Sequence, residues 1–334
     1  MKSIKLWGVV LVSMVAYAVT SCAVEVDENS KTAQERIFNA YIRANGYENS
    51  EVIGDSIYVV ERSGVGQGAF PVDSSYAFVR YTAKYTTGEY AAYNKESVAK
   101  QLGTYKHTNF YGSFVWPVKM GYISDPLSDI VKNMKPGEKT VSIVAPWLSN
   151  INQDYAFASS SAIMVYEIEL EDVVDDINVY QDSIMREFSQ KYFNGMDTTS
   201  KGFYYNRFYK SANEDTLADG VSLSIWYVGR MLDGSVFDTN IEDTAKKYDL
   251  YDKTATYNAL SAIFYKDDPE KIAEESNYVL GFCKALTSGV TYGDKCFVFF
   301  NSDYGYGSTG NLSNGAGIPP FYPISFEMWI EDDK

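Results

Sequence analysis

The feature that most constrains this chain is that it contains itself twice. Laid against itself at an offset of 146, Tyr58 meets Tyr204, Val79 meets Ile225, Tyr81 meets Tyr227 and Gly88 meets Gly234. Further on, Asn94 meets Asn240, Glu96 meets Glu242, Ala99-Lys100 meets Ala245-Lys246 and Tyr105 meets Tyr251. With short insertions, Gly137-Glu138-Lys139 falls on Gly293-Asp294-Lys295, and Tyr166-Glu167-Ile168 on Phe326-Glu327-Met328. One match is chance, but an ordered series is a duplication. Each half must therefore bury its own core.

Both halves share one grammar. A helix opens each, near Thr32–Asn45 and Asn178–Phe193, the first with Ile37 and Tyr41 at i, i+4 spacing. Aromatic and β-branched runs at Tyr76–Tyr85 and Val221–Met231 predict strands. Asn94 and Asn240, each followed by an acidic turn, read as helix N-caps. A second short helix follows (Pro126–Asn133, Tyr278–Leu286), then a Gly turn. Two strands close each copy, Thr140–Ala145 with Ser161–Leu170, and Cys296–Asn301 with Pro323–Ile330. Strands in runs with one short helix predict an α+β fold, an antiparallel sheet curled around that helix, with an additional N-terminal helix. The boundary falls near Val174-Asp175-Asp176, giving domains 31–175 and 176–334.

The N-terminus predicts export. Lys2 and Lys5 precede an apolar stretch from Leu6 to Val19, and Val19-Thr20-Ser21-Cys22 follows. Residues 1–21 read as a secretory signal peptide, too short and wrongly flanked for a membrane span. Val-Thr-Ser-Cys resembles the lipobox of bacterial lipoproteins, which implies lipid on Cys22, a tether over 22–30 and a place in the cell envelope. The acids after Cys22 (Glu25, Asp27, Glu28) point to the outer membrane, with its periplasmic and exterior faces both open. Cleavage removes two lysines and no acids from a chain of 29 basic and 44 acidic residues, leaving a formal charge of −17. Such a surface repels phosphate backbones and anionic lipid, which argues against nucleic acid and makes the lipid the only membrane contact. The single histidine, His107, has no partner at metal-ligand spacing. Cys283 and Cys296 could pair in an oxidising compartment, although two buried free thiols are the simpler reading.

The second copy carries an ordered set of motifs: Tyr227-Val228-Gly229, Asp233-Gly234-Ser235-Val236-Phe237-Asp238, Leu280-Gly281-Phe282, Gly293-Asp294-Lys295, Asp303-Tyr304-Gly305-Tyr306-Gly307 and Gly317-Ile318-Pro319-Pro320. Over about residues 220–330 it resembles the FKBP family of peptidyl-prolyl isomerases. The resemblance implies two tandem FKBP-like domains with a substrate proline held between sheet and helix, proline-containing polypeptides as partners, and no cofactor. It assigns catalysis to Tyr227, Phe237, Asp238 and Tyr306, and substrate binding to Val279, Phe282, Ile318 and Phe326. Tyr306 would donate to the substrate carbonyl, Tyr227 would hold Asp238, the three phenylalanines would clasp the ring, and Ile318 would line the rim. Phe282 stands where the family commonly has tryptophan. The segment between Asp238 and Val279 is longer than in small members, and Tyr257, Leu260 and Phe264 are candidates for the pocket residues it supplies.

The first copy is a control within the same chain. Phe237 and Asp238 fall on Ala91 and Ala92, Tyr306 falls on Asn150, and nothing like Ile-Pro-Pro precedes Ser161. It is expected to keep the scaffold without the chemistry. The resemblance thus implies an envelope isomerase and folding helper. The alternative is a non-catalytic lipoprotein that binds protein or glycan on the same scaffold.

Overall fold

In a computed structural model, the described residues are 31–119, 123–148, 162–195, 198–212, 216–312 and 317–331. The expected signal segment over 1–21, Cys22, the expected tether over 22–30, Asn150 and Ser161 lie outside them. The fold is α+β, with two antiparallel sheets and, among the described residues, seven α-helices.

The first half runs α1 (Lys31–Ala44), β1 (Glu51–Ile53), β2 (Ile57–Gly64), β3 (Tyr76–Tyr85), β4 (Tyr90–Tyr93), α2 (Glu96–Leu102), β5 (Phe114–Pro117), α3 (Asp125–Lys132), β6 (Glu138–Val144) and β7 (Met164–Val174). The second runs α4 (Ile177–Phe193), β8 (Thr198–Ser200), β9 (Phe203–Tyr209), β10 (Ser222–Met231), β11 (Val236–Thr239), α5 (Glu242–Lys247), β12 (Leu260–Ile263), α6 (Pro269–Ser276), α7 (Leu280–Leu286), β13 (Lys295–Phe300) and β14 (Ile324–Ile330). Sheet one is ordered β1-β2-β6-β7-β3-β4 with β5 also on β3. Sheet two is ordered β8-β9-β13-β14-β10-β11 with β12 also on β10.

The sequence offset reappears in the strand registers. Ala83 faces Ala92 as Gly229 faces Asp238, and both pairs sit beside a bulge. Val79 faces Phe114 as Ile225 faces Leu260, and Tyr58 faces Ile143 as Tyr204 faces Phe299. A one-residue slip would have turned every inward side chain outward, so the buried face fixes this register. Inward residues of β7 alternate as Met164, Tyr166, Ile168 and Leu170, and pack with Leu127, Ile130 and Val131 of α3. In the second half, α7 packs on its sheet through Phe282, Cys283, Ala285 and Leu286. Gly281 permits that approach, because a Cβ there would stand 2.4 Å from the Phe300 ring.

Two local expectations are corrected. Helix α1 buries Phe38 and Ile42, one residue round from Ile37, which is 48% exposed. Phe38 wins because its ring packs edge-on against Tyr58 and Trp147 at 5.7 and 5.4 Å. Asn94 and Asn240 are not helix caps; the cap positions are Lys95 and Ile241, neither with a side-chain cap. Strands β5 and β4 cover the two ends of one edge of β3, and Arg80-Tyr81 lies in the gap between them. The Asn94 amide fills that gap, accepting from Tyr81 N at 2.7 Å and donating to Val79 O at 2.8 Å. Asn240 does the same between β12 and β11, with Tyr227 N at 2.8 Å and Ile225 O at 2.9 Å. A carboxamide offers the donor and acceptor of a missing peptide group.

Cys283 and Cys296 are free and buried, and burial pushes their thiols up to about 11 and about 12. α4 starts on Asp176, whose Oδ1 accepts from Asn178 N and Val179 N.

Candidate active site

Tyr227 enters the second core from β10, with Asn240 clasping its main chain. β11 returns alongside and sets Asp238 opposite Gly229. The Tyr227 hydroxyl donates to Asp238 Oδ2 at 2.6 Å. Gly229 is glycine for space: a Cβ would meet the Phe237 ring at 2.7 Å and the Phe326 ring at 3.0 Å. Phe326 comes from β14, facing Gly229 in register, and Phe282 rises from the first turn of α7. Tyr306 follows a 3₁₀ turn at Ser302–Tyr304.

These rings stand edge to face. Tyr227 and Phe282 lie 5.8 Å apart at 86°, and Phe282 and Phe326 lie 5.3 Å apart at 87°. Such pairs hold each other's orientation as well as burying area. Together with Asp238, Val279, Tyr306, Leu260, Asn277 and Tyr278 they line a hollow of 130 Å³.

Asp238 has one side open to solvent and the others crowded by protein. Crowding raises its carboxyl above the ordinary value, against the opposing hydrogen bonds from Tyr227 and the Thr239 amide. Burial raises the Tyr227 phenol too, as does the neighbouring Asp238 charge. Tyr306 is raised by burial. Both phenols therefore stay protonated at neutral pH and act as donors.

Of the eight residues singled out in sequence, six line the hollow: Tyr227, Asp238, Val279, Phe282, Tyr306 and Phe326. Phe237 lies behind it, 3% exposed, with its ring 5.7 Å from Phe326. Ile318 is fully buried in the core and does not form a rim, because its main chain is bridged to Asn311. The long segment before Val279 contributes Leu260; Tyr257 instead stacks on Tyr251 at 5.6 Å, and Phe264 is core. Sequence reasoning missed Asn277 and Tyr278. Their signal is position, since they immediately precede Val279, the residue that starts α7.

The first half has a hollow at the matching place, lined by Tyr81, Ala92 and Phe114, but without the carboxylate. Ala92 replaces Asp238, Phe114 replaces Leu260, and Trp116 stands where the second half has Ala262. The Trp116 ring is fully buried 5.0 Å from Tyr81. A larger cavity of 650 Å³ lies between the halves, lined by Phe78, Tyr180, Phe188 and Phe321. Within its lining, Arg80 and Ser113 are both bonded to Glu171.

No family model matches the chain, and no curated protein matches it. Among solved structures, the chain is similar to the three FKBP domains of wheat FKBP73, at 18% identity over 84% of this chain and 98% of that one, with a TM-score of 0.30. It is also similar to a peptidyl-prolyl cis-trans isomerase from Pseudomonas syringae pv. tomato, at 21% identity over 47% of this chain and 96% of that one, with a TM-score of 0.30.

Proposed function

We propose that the chain is a peptidyl-prolyl cis-trans isomerase built from two tandem FKBP-like domains, 31–175 and 176–334, with the pocket in the second. The observation that carries this reading is the aromatic hollow whose lining holds the Tyr227–Asp238 hydrogen bond.

An X–Pro amide interconverts over tens to hundreds of seconds because rotation breaks its resonance. Water favours the planar, charge-separated form, so a site that excludes water lowers the relative cost of twisting. Phe282, Phe326 and Tyr227 form apolar walls around a volume of pyrrolidine size, with Phe237 backing Phe326. The Tyr306 phenol donates to the substrate carbonyl. Asp238, oriented by Tyr227, presents a fixed negative group to the twisted amide carbon. Interactions made only in the twisted state accelerate tenfold for each ~1.4 kcal/mol. No bond is made or broken, so no cofactor is required.

The first domain keeps the scaffold, but Ala92 stands in its hollow where the second has Asp238, and its role is non-catalytic. We further propose export, lipidation at Cys22 and an envelope location, with unfolded, proline-containing polypeptides as clients. Radiolabelled palmitate incorporation that is lost in Cys22→Ser would support the anchor. Turnover of a proline tetrapeptide by the full chain tests the activity: Asp238→Ala and Tyr306→Phe should each reduce kcat/KM about tenfold or more. Unchanged rates in both would remove the assignment.

A further inference from the structure

The loop that carries Tyr306 is gripped by the other half of the chain. Beyond Tyr306 the loop closes on itself: Asn311 N donates to Ile318 O at 2.8 Å, Ile318 N donates to Asn311 O at 3.2 Å, and Phe321 N donates to Gly307 O at 2.9 Å. Next to Asn311, Gly310 N donates to Tyr306 O at 3.1 Å. Three contacts then reach across. Phe110 N donates to Gly317 O at 3.2 Å, the Phe110 ring lies 4.9 Å from Tyr322, and Tyr76 lies 5.4 Å from Phe321. Gly317 has φ +62, and a Cβ there would stand 2.4 Å from Asn109 Cα, so the two main chains touch. Phe110 packs against both cores.

The place of contact matters. Tyr81, Ala92 and Phe114 line a hollow of 290 Å³ together with Asn109 and Phe110, and Leu312 and Gly317 line it from the second half. By strand register, Tyr81, Ala92 and Phe114 are the counterparts of Tyr227, Asp238 and Leu260. The degenerate site of the first repeat thus faces the pocket loop of the second.

We propose that the first repeat uses its vestigial site as a seat for that loop. Asn109 and Phe110 are positioning residues that fix Tyr306 through Gly317, Ile318 and Asn311. The effect on turnover rests on the isomerase reading; the seat itself does not. A continuous series of main-chain bonds joins the seat to the main chain of Tyr306, so loosening one end releases the other.

The test compares full-length wild type with Phe110→Ala, Phe110→Leu and Gly317→Ala, the last leaving the first repeat's core intact. Amide exchange at Asn311 and Ile318 is read beside that at Val298 and Phe326, which belong to the β13–β14 ladder. The seat predicts that Phe110→Ala and Gly317→Ala speed exchange at Asn311 and Ile318 about tenfold with the ladder unchanged, and that Phe110→Leu restores protection. Turnover of a proline tetrapeptide should fall about tenfold in the same two variants, through kcat with KM held. Unchanged exchange overturns the proposal, as does faster exchange with undiminished turnover. Faster exchange in a protein whose wild type shows no turnover upholds the seat and refutes the isomerase reading.

Discussion

The Asn240 side chain pairs with the main chain of Tyr227 across thirteen residues, replacing the peptide group that neither β11 nor β12 supplies. Asn94 does the same for Tyr81. This pairing fixes the strand from which the pocket tyrosine projects.

Asn240→Ala should therefore cost more than a surface change. It strands the Tyr227 N–H and the Ile225 carbonyl in a buried place, a loss of about 2–4 kcal/mol. Asn94→Ala should cost a similar amount in the first half. Urea unfolding of each variant checks both.

Gly281 should tolerate no side chain. An alanine Cβ would stand 2.4 Å from the fully buried Phe300 ring, so Gly281→Ala should destabilise by about 1–3 kcal/mol. Phe300→Leu in the same chain should recover part of that loss, giving a measurable coupling in a double-mutant cycle.

The pH profile should report Asp238. Its folded-state pKa is raised, chiefly by crowding, so on acidification it takes up a proton at a higher pH than a free aspartate does. Turnover should fall toward acid with a midpoint above the ordinary Asp value. Asp238→Asn should be slow and lack that fall.

Acid stability of the first half should depend on Glu167. Burial alone would raise its carboxyl, but hydrogen bonds from Lys139 and Lys95, at 2.7 and 2.8 Å, outweigh it and hold the group at about 2. A depressed folded-state pKa stabilises above the unfolded value and is lost as pH falls through about 2. With solvent screening the contribution is about 1–2 kcal/mol. Lys95→Met with Lys139→Met should reduce the loss of stability between pH ~4.5 and ~2 in thermal melts.

What the sequence could show follows from which interactions are local. The offset of 146 was legible because the same residues recur in the same order, and the strand registers carry it forward. The six lining residues sit in compact motifs, or within one residue of a helix start. Asn94 and Asn240 were visible but given the wrong task. An asparagine before an acidic turn satisfies the local rule for a cap, whereas the gap it fills is defined by strands remote in sequence. The face of α1 was one residue off because Ile37 and Phe38 are both apolar, and only the rings of Tyr58 and Trp147 decide between them. Leu260 could not be settled among three candidates until its register opposite Ile225 was known. The resemblance places Ile318 at a rim, and its bridge to Asn311 leaves no local mark that would correct it.

The central claim is that the hollow between Tyr227 and Phe326 twists prolyl amides. The most direct measurement is exchange NMR on a proline peptide whose cis and trans signals are resolved, with the full-length protein at a small fraction of the peptide concentration. The account predicts cross-peaks between the two isomers on the sub-second scale, abolished by a macrolide that fills the hollow. Interconversion left at the uncatalysed rate of tens to hundreds of seconds would contradict it.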